Sequence, residues 1–275
     1  MPPDQPIETR HFEALGTRCG IFAVGSSRSK LVEGESWVRA MGSRLTRFSD
    51  ESEVGRLNAS AGEWCEVSDE LELILRASLD AFELSGGLVN VAVLPAMLAI
   101  GYARPLAERA PVAIATATST GPLPELPSVL EVGRRHARVA RGSGIDLGGI
   151  AKGWMADRLT EIIGPNCVVN LGGDLMALGR GPWGEGWPVE IGGATLLLRD
   201  MGAATSSVRK RRWGDAHHLI DPRTGRPSST GIEEVSVVAE SSTTAEVVAK
   251  TALLAGPAAA PAFCVAHALA WWLSP

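Results

Sequence analysis

The 275-residue chain has only four cysteines, one tyrosine and five phenylalanines, and each scarcity removes a class of function. Cys19, Cys65, Cys167 and Cys264 are scattered singly, with no Cys-x-x-Cys pair. Neither a zinc site nor a dithiol redox centre is expected, and free thiols are the expected state in a reducing compartment. Few stacking rings and no basic tract argue against a nucleic-acid partner. The densest cationic run, Arg209-Lys-Arg-Arg212, reads as a solvated turn or, just before His217, as help in holding an anionic ligand. No apolar run approaches the ~20 residues of a membrane-spanning helix. The start, Met1-Pro-Pro-Asp-Gln-Pro-Ile7, has neither the charged nor the apolar region of a secretory signal. A cytoplasmic protein without a membrane partner is expected.

What is present is an ordinary globular composition, 45% hydrophobic with a formal charge of −5. That length and composition fit one large domain, or two intimately packed lobes, with a real core. Residues 1–10 read as a frayed tail and 11–275 as the domain. Gly20–Val24 reads as a strand. Leu31, Val38, Met41 and Leu45 mark one face of a helix over Leu31–Phe48, followed by a polar turn and a short helix up to Asn58. Ser68 reads as the cap of a helix over Asp69–Leu84, striped by Leu71, Leu75, Leu79 and Phe82 and ended by Gly86-Gly87. Residues 103–145, broken by five prolines, exclude long regular elements and read as a crossover between lobes. Beyond it the pattern predicts a helix over Ile150–Ile163 and a strand over Cys167–Leu171. Paired strands follow over Pro188–Gly192 and Thr195–Leu198, then a strand over Glu234–Ala239. The last helix spans Thr244–Ala255, capped by Thr243 or Thr244. Irregular interleaving of strands and helices favours α+β.

Three segments carry the chemistry. Asp146-Leu-Gly-Gly-Ile-Ala-Lys-Gly153 places a capping aspartate, two glycines and a lysine at a helix start. Such a helix start gathers N–H groups and a cation for an anion, and glycine allows close backbone approach. Only four lysines occur in this arginine-dominated chain, and the compact ammonium of Lys152 suits a point contact with a phosphate. Val169-Asn-Leu-Gly-Gly-Asp174 ends a strand in a glycine turn. Asn170, Gly172, Gly173 and Asp174 there form either a tight turn or a platform for a ligand. His217-His-Leu-Ile-Asp-Pro-Arg-Thr-Gly225 is the most specific of the three, although Asp-Pro-x-Thr-Gly is a competent turn on its own. Adjacent residues diverge on a strand, so the two histidines do not share a metal. Thr205-Ser206-Ser207 is a polar turn or a source of hydroxyls for phosphate oxygens.

In this order the segments resemble the FAD:protein FMN transferases of the ApbE family, over about Gly16 to Gly256. The resemblance implies an ApbE-like flavin transferase fold of two lobes with FAD bound between them. The implied reaction transfers FMN from FAD to a Thr or Ser of a target protein and releases AMP. Asp146, Gly148, Gly149, Lys152, Asn170, Gly172, Gly173, Asp174, Thr205 and Ser206 are then cofactor-binding. His218 and Asp221 organise the diphosphate and flavin end, and Thr224 and Gly225 complete their loop. The family's magnesium falls to the backbone carbonyl of Ala151 and to Glu246, which is also the expected general base.

The chain departs from the family pattern in two places. The late-helix run Ala-Asp-Ala-Leu-Ala-Thr-Ala is here Ala245-Glu246-Val-Val-Ala-Lys250-Thr251, so a glutamate replaces the metal-binding aspartate and a lysine the threonine. A protonated lysine cannot ligate magnesium, and Lys250 is expected either to pair with Glu246 or to take over part of the metal's charge. Asn90 stands where relatives carry aspartate. Two other functions share this signature, a non-catalytic FAD-binding protein and a hydrolase giving FMN and AMP.

Overall fold

The computed structural model describes residues 6–60, 62–105, 121–213 and 216–275. A hairpin of β1 (Ile7–Ala14) and β2 (Thr17–Val24) leads into helices α1 (Arg28–Leu45) and α2 (Glu53–Ala59). Strand β3 (Cys65–Glu66), helices α3 (Asp69–Leu84), α4 (Leu94–Ala99) and α5 (Leu126–Val129), and strands β4 (Leu130–Val132) and β5 (His136–Val139) follow. Next come α6 (Ala151–Ile163), β6 (Cys167–Leu171), β7 (Leu175–Leu178), a hairpin of β8 (Trp187–Ile191) and β9 (Ala194–Leu198), and β10 (Met201–Ser207). Four two-residue strands, β11 (Arg212–Trp213), β12 (Ala216–His217), β13 (Ile220–Asp221) and β14 (Arg226–Pro227), precede β15 (Glu234–Ala239). Helices α7 (Ser242–Ala255) and α8 (Ala260–His267) and strand β16 (Ala270–Ser274) complete the chain.

The architecture is α+β, as expected, around a seven-stranded antiparallel sheet ordered β1-β2-β6-β7-β10-β15-β16. Successive strand side chains point to opposite faces, and the two faces are buried differently. Ile21, Val169 and Leu171 face a core built with α1, α3 and α6. Val235 and Val237 continue that layer beneath α7 and α8. On the opposite face Val168, Ala177, Ala203 and Val238 pack against Trp187, Val189 and Ile191 of the β8–β9 hairpin. No helix among the described residues is long and apolar enough to cross a membrane.

Local chemistry explains most boundaries. Ser68 accepts from the Leu71 N–H at 3.1 Å, three acidic residues occupy the first turn of α3, and Leu71, Ile74 and Leu75 are fully buried. Those acids oppose the positive helix start. Four expectations are corrected. Residues 7–10 are not a frayed tail but the first half of β1, held by pairing from Ile7↔Val24 onward; residues 1–5 lie outside the described residues. Helix α1 begins at Arg28, capped by Ser27, and ends at Leu45, where Thr46 turns extended. Helix α7 begins two residues earlier than expected, with Ser241 as its cap accepting from the Thr244 N–H at 3.0 Å. Thr205-Ser206-Ser207 is no turn but the end of interior strand β10, where the Thr205 and Ser236 hydroxyls meet across the ladder at 2.9 Å. In the proline-rich stretch only the short α5, β4 and β5 occur among the described residues; residues 106–120, with Pro111, lie outside them.

Candidate active site

The site is set by how α6 meets α7. A Cβ at Gly153 would lie 2.7 Å from the Ser242 carbonyl oxygen, so only glycine allows this approach. One turn further on, the Asp157 carboxylate accepts from the N–H groups of Ser242 (2.8 Å) and Thr243 (2.9 Å) and from the Thr243 hydroxyl (2.5 Å). Burial raises the Asp157 pKa although these bonds oppose the shift. The contact fixes the start of α7 and with it the face that carries Glu246 and Lys250, which are four residues apart.

Glu246 is 4% exposed. Its Oε2 accepts the Gly153 N–H at 2.9 Å, and its Oε1 lies 3.8 Å from Lys152 Nζ and 3.9 Å from Lys250 Nζ. The Lys152 ammonium rests against the buried Asp174 carboxylate. Burial pushes the Lys152 pKa down to about 8, with Glu246 opposing and neighbouring cations assisting. Lys250 donates to the Gly149 carbonyl oxygen. Its pKa is likewise lowered by burial, against the upward pull of Glu246 and Asp146.

Asp174 follows the turn predicted at the end of β6. Gly172 has φ +76°, and a Cβ there would lie 2.4 Å from Thr17 Cγ2, so backbone and β1–β2 turn close together on that side. Asn170 supports the turn from behind, its Oδ1 accepting the Gly173 N–H at 2.9 Å.

Asp146 does not cap α6, a further correction: the cap residue is Ile150, which makes no side-chain cap bond. Asp146 instead accepts the Gly148 N–H at 2.6 Å and pairs with buried Arg47 at 2.5 Å. Arg47 also donates to the Tyr102 carbonyl at 2.5 Å and lies over the rings of Phe48 and Tyr102, 4.2 and 4.8 Å from their centroids. Trp213 stacks on Tyr102 at 4.8 Å. Sequence reasoning missed Arg47, Tyr102, Trp213 and Asp157, single residues far apart in the chain with no local motif to flag them.

Three cavities adjoin here, and Gly148 and Arg211 line all of them. One is polar, bounded by Lys152, Asp174, Thr205, Ser206, Glu246 and Lys250. A second is mostly apolar, walled by Phe48, Val89, Val91, Met97, Tyr102 and Leu254, with Asn90, Asp146 and Gly149 at its edge. The third runs past Leu45, Arg47, Ala151 and Met155. His218 lies between the polar and apolar cavities. Burial and the cations Arg211, Lys250 and Lys152 hold its pKa well below the usual histidine value, and its buried Nδ1 has no hydrogen-bond partner.

The remaining predicted residues stand apart from these walls. Asp221 is paired with Arg223 at 2.7 and 2.9 Å, and Arg223 also donates to the Leu254 carbonyl. Thr224 and Gly225 form the β13–β14 turn, their N–H groups donating to the Asp221 carbonyl at 3.1 and 2.8 Å. His217 is structural: its Nδ1 accepts the Leu219 N–H at 3.3 Å, so its Nε2 donates to the Ser228 carbonyl at 2.9 Å. Of the cationic run, Arg211 reaches the cavities, in the left-handed region at φ +51°, whereas Arg209 pairs with Glu233.

A cationic, glycine-edged centre thus lies between an apolar and a polar arm. The fold matches flavin transferases. It superimposes on the flavinyl transferase ApbE of Pseudomonas stutzeri (apo form) with a TM-score of 0.79 and 21% identity, covering 98% of this chain and 95% of that one. It also superimposes on the flavin transferase ApbE of Vibrio cholerae with a TM-score of 0.75 and 20% identity, covering 98% of both chains. In sequence the chain is 31% identical over 247 residues to an FAD:protein FMN transferase of Treponema pallidum (strain Nichols), covering 77% of this chain and 67% of that protein. The corresponding Haemophilus influenzae protein is 23% identical over 240 residues, with coverages of 78% and 69%. The profile of the ApbE family matches residues 15–271, and the chain belongs to that family.

Proposed function

We propose that this chain is a flavin transferase that cleaves FAD, attaches the FMN half to a Thr or Ser hydroxyl of a target protein, and releases AMP. The observation that carries this reading is the meeting of an anion-ready centre with an aromatic wall, in a chain of the ApbE family. A diphosphate suits the centre formed by Lys152, Lys250 and Arg211, and a flavin ring suits the apolar arm beside Tyr102.

In the proposed reaction the acceptor hydroxyl oxygen attacks the FMN-side phosphorus. The bond from that phosphorus to the bridging oxygen breaks, and AMP leaves with the oxygen and its electron pair. Glu246 Oε1 takes the hydroxyl proton, while the Gly153 N–H keeps the other carboxylate oxygen in place. Lys152 and Lys250 oppose the negative charge that builds on the diphosphate oxygens. Neutral His218 offers a ring nitrogen to a phosphate oxygen or to the acceptor without adding charge. The hydroxyls of Thr205 and Ser206 complete the polar wall, and the Asp221–Gly225 turn holds the segment that carries His218.

The test is incubation with FAD and a candidate acceptor protein, following AMP and covalent flavin together. Equal appearance of both supports transfer. AMP with free FMN and no protein-bound flavin identifies a hydrolase. FAD bound without either product identifies a binding protein, and in both of those cases the transferase reading fails.

A further inference from the structure

We propose that the Lys250 ammonium is the resident cation of this site, standing in place of the family's magnesium, so that the chain holds the FAD diphosphate without a divalent ion. The inference rests on the FAD reading above and deepens it.

A hard dication gathers oxygens, typically carboxylates and backbone carbonyls. Among the candidate oxygens, those of Glu246, Asp174 and the Gly149 carbonyl already lie against ammonium groups. Lys250 on α7, with 13% of its side chain accessible, donates to the Gly149 carbonyl and sits 3.9 Å from Glu246 Oε1. Lys152 approaches the same carboxylate oxygen at 3.8 Å and rests on Asp174 as well. An ion placed on Glu246 would meet both ammoniums across a few ångströms of poorly screening interior, where like charges repel strongly. Thr251, next to Lys250 on the helix, does not offer its hydroxyl to the site, since it donates to the Val247 carbonyl at 2.8 Å. Among the described residues no group of three or more His, Cys, Asp or Glu side chains could hold a metal ion. The residues present do not fit magnesium.

They do fit a fixed monovalent charge. Gly149 makes the room, because a Cβ there would lie 2.4 Å from Lys250 Nζ. Lys250 lines both the polar and the apolar cavity, so a diphosphate joining their occupants would pass beside it. An arriving phosphate would strengthen the protonated form of Lys250 rather than displace it, since a nearby anion favours the cation.

Two titrations test the proposal on the intact chain. Mn²⁺ added to the ligand-free protein, with free ion followed by electron paramagnetic resonance, should reveal no specific site in the wild type. The Glu246→Asp/Lys250→Thr double variant should gain one. FAD affinity of the wild type should be the same in excess EDTA and in excess Mg²⁺. Lys250→Met should bind FAD about tenfold or more weakly, without rescue by Mg²⁺, whereas the double variant should be weak in EDTA and restored by Mg²⁺. A stoichiometric Mn²⁺ site in the wild type, or wild-type FAD binding strengthened by Mg²⁺, overturns the proposal without recourse to any variant. Absence of FAD binding under every condition overturns the FAD reading and the diphosphate role with it, while the Mn²⁺ comparison still decides the nature of the cation.

Discussion

The segment from Asp146 to Gly153 sends Asp146, Gly148, Gly149 and Lys152 to the cavity walls. The segment from His217 to Gly225 sends His218, Leu219 and Ile220, and spends its other polar side chains internally. Both segments look ligand-directed in sequence. The difference is one of backbone. At the start of α6 two glycines and a first-turn lysine lie together on the cavity walls, so a short run can flank a ligand. In the β12–β14 region the chain is extended and then turns, so neighbouring side chains diverge: His217 and Asp221 bond within the segment and its neighbours while His218 lines the cavities. A motif can thus be built for its contacts or for the posture of one residue.

The largest effect expected from breaking this distinction is at Gly149. The clash that Gly149→Val introduces is with the far end of a flexible lysine, so the fold should tolerate it while the ammonium loses its place. FAD affinity should fall on the order of a hundredfold, about 2.7 kcal/mol, with little change in Tm. A thermal melt showing wholesale unfolding, or a titration with unchanged affinity, would contradict the division of roles.

The two histidines sharpen it next. His218→Ala should lower the rate of AMP release by roughly a hundredfold, the scale of one well-placed acid–base or charge-stabilising group. Removing its unpartnered buried nitrogen relieves a desolvation cost that offsets some lost packing. His217→Ala should do the reverse. It strips partners from the buried Leu219 N–H and the Ser228 carbonyl, costing about 2–4 kcal/mol of stability, while the folded fraction keeps its FAD affinity. Chemical denaturation and single-turnover assays on both variants separate the cases; equal behaviour would show that both histidines act alike.

Legibility in the sequence followed the same distinction. The helix Asp69–Leu84 was readable because cap, acidic first turn and leucine stripe are all local, and β6 and β15 because buried runs of Val are unambiguous. Strand β10 was not: Gly-Ala-Ala-Thr-Ser-Ser lacks strand composition, yet it lies in the interior of the sheet, between β7 and β15. Its small residues are explained by α7, because a Cβ on Gly202 would fall 2.0 Å from the Ser241 backbone. The glycine and lysine side of the site was legible as a contiguous motif. The aromatic side was not, since Arg47, Tyr102 and Trp213 meet only after folding.

A smaller effect concerns Lys152 and pH. Burial brings its pKa down to about 8, so in the ligand-free protein it loses its proton as pH rises through that value. A bound diphosphate favours the protonated form and raises the pKa again. FAD affinity should therefore weaken above pH 8, by about tenfold per unit of that upward shift, and binding near pH 8 should take up protons. Calorimetry in buffers of different ionisation enthalpy detects that uptake. Binding with no proton exchange would place the diphosphate away from Lys152, and the Asp146–Gly153 segment would lose its claim to direct contact.

The smallest effect is expected at Asp221, the side chain most easily mistaken for a ligand-binding residue. Burial tends to raise its pKa, but the side-chain and backbone hydrogen bonds from Arg223 outweigh that and hold the carboxyl below its usual range. A carboxyl lowered on folding contributes stability that is present above its unfolded pKa and lost as pH falls through the folded value. Arg223 is half exposed, with 53% of its side chain accessible, so solvent screens the pair and its worth is about 1 kcal/mol or less. Asp221→Asn should lower stability by that amount at neutral pH, and the difference from wild type should vanish in acid below the carboxylate range. FAD affinity and AMP release should match wild type, because the side chain lies outside the cavities. If Asp221→Asn instead slowed AMP release as much as His218→Ala, the His217–Gly225 segment would be a contact motif throughout, and the contrast with Asp146–Gly153 would collapse.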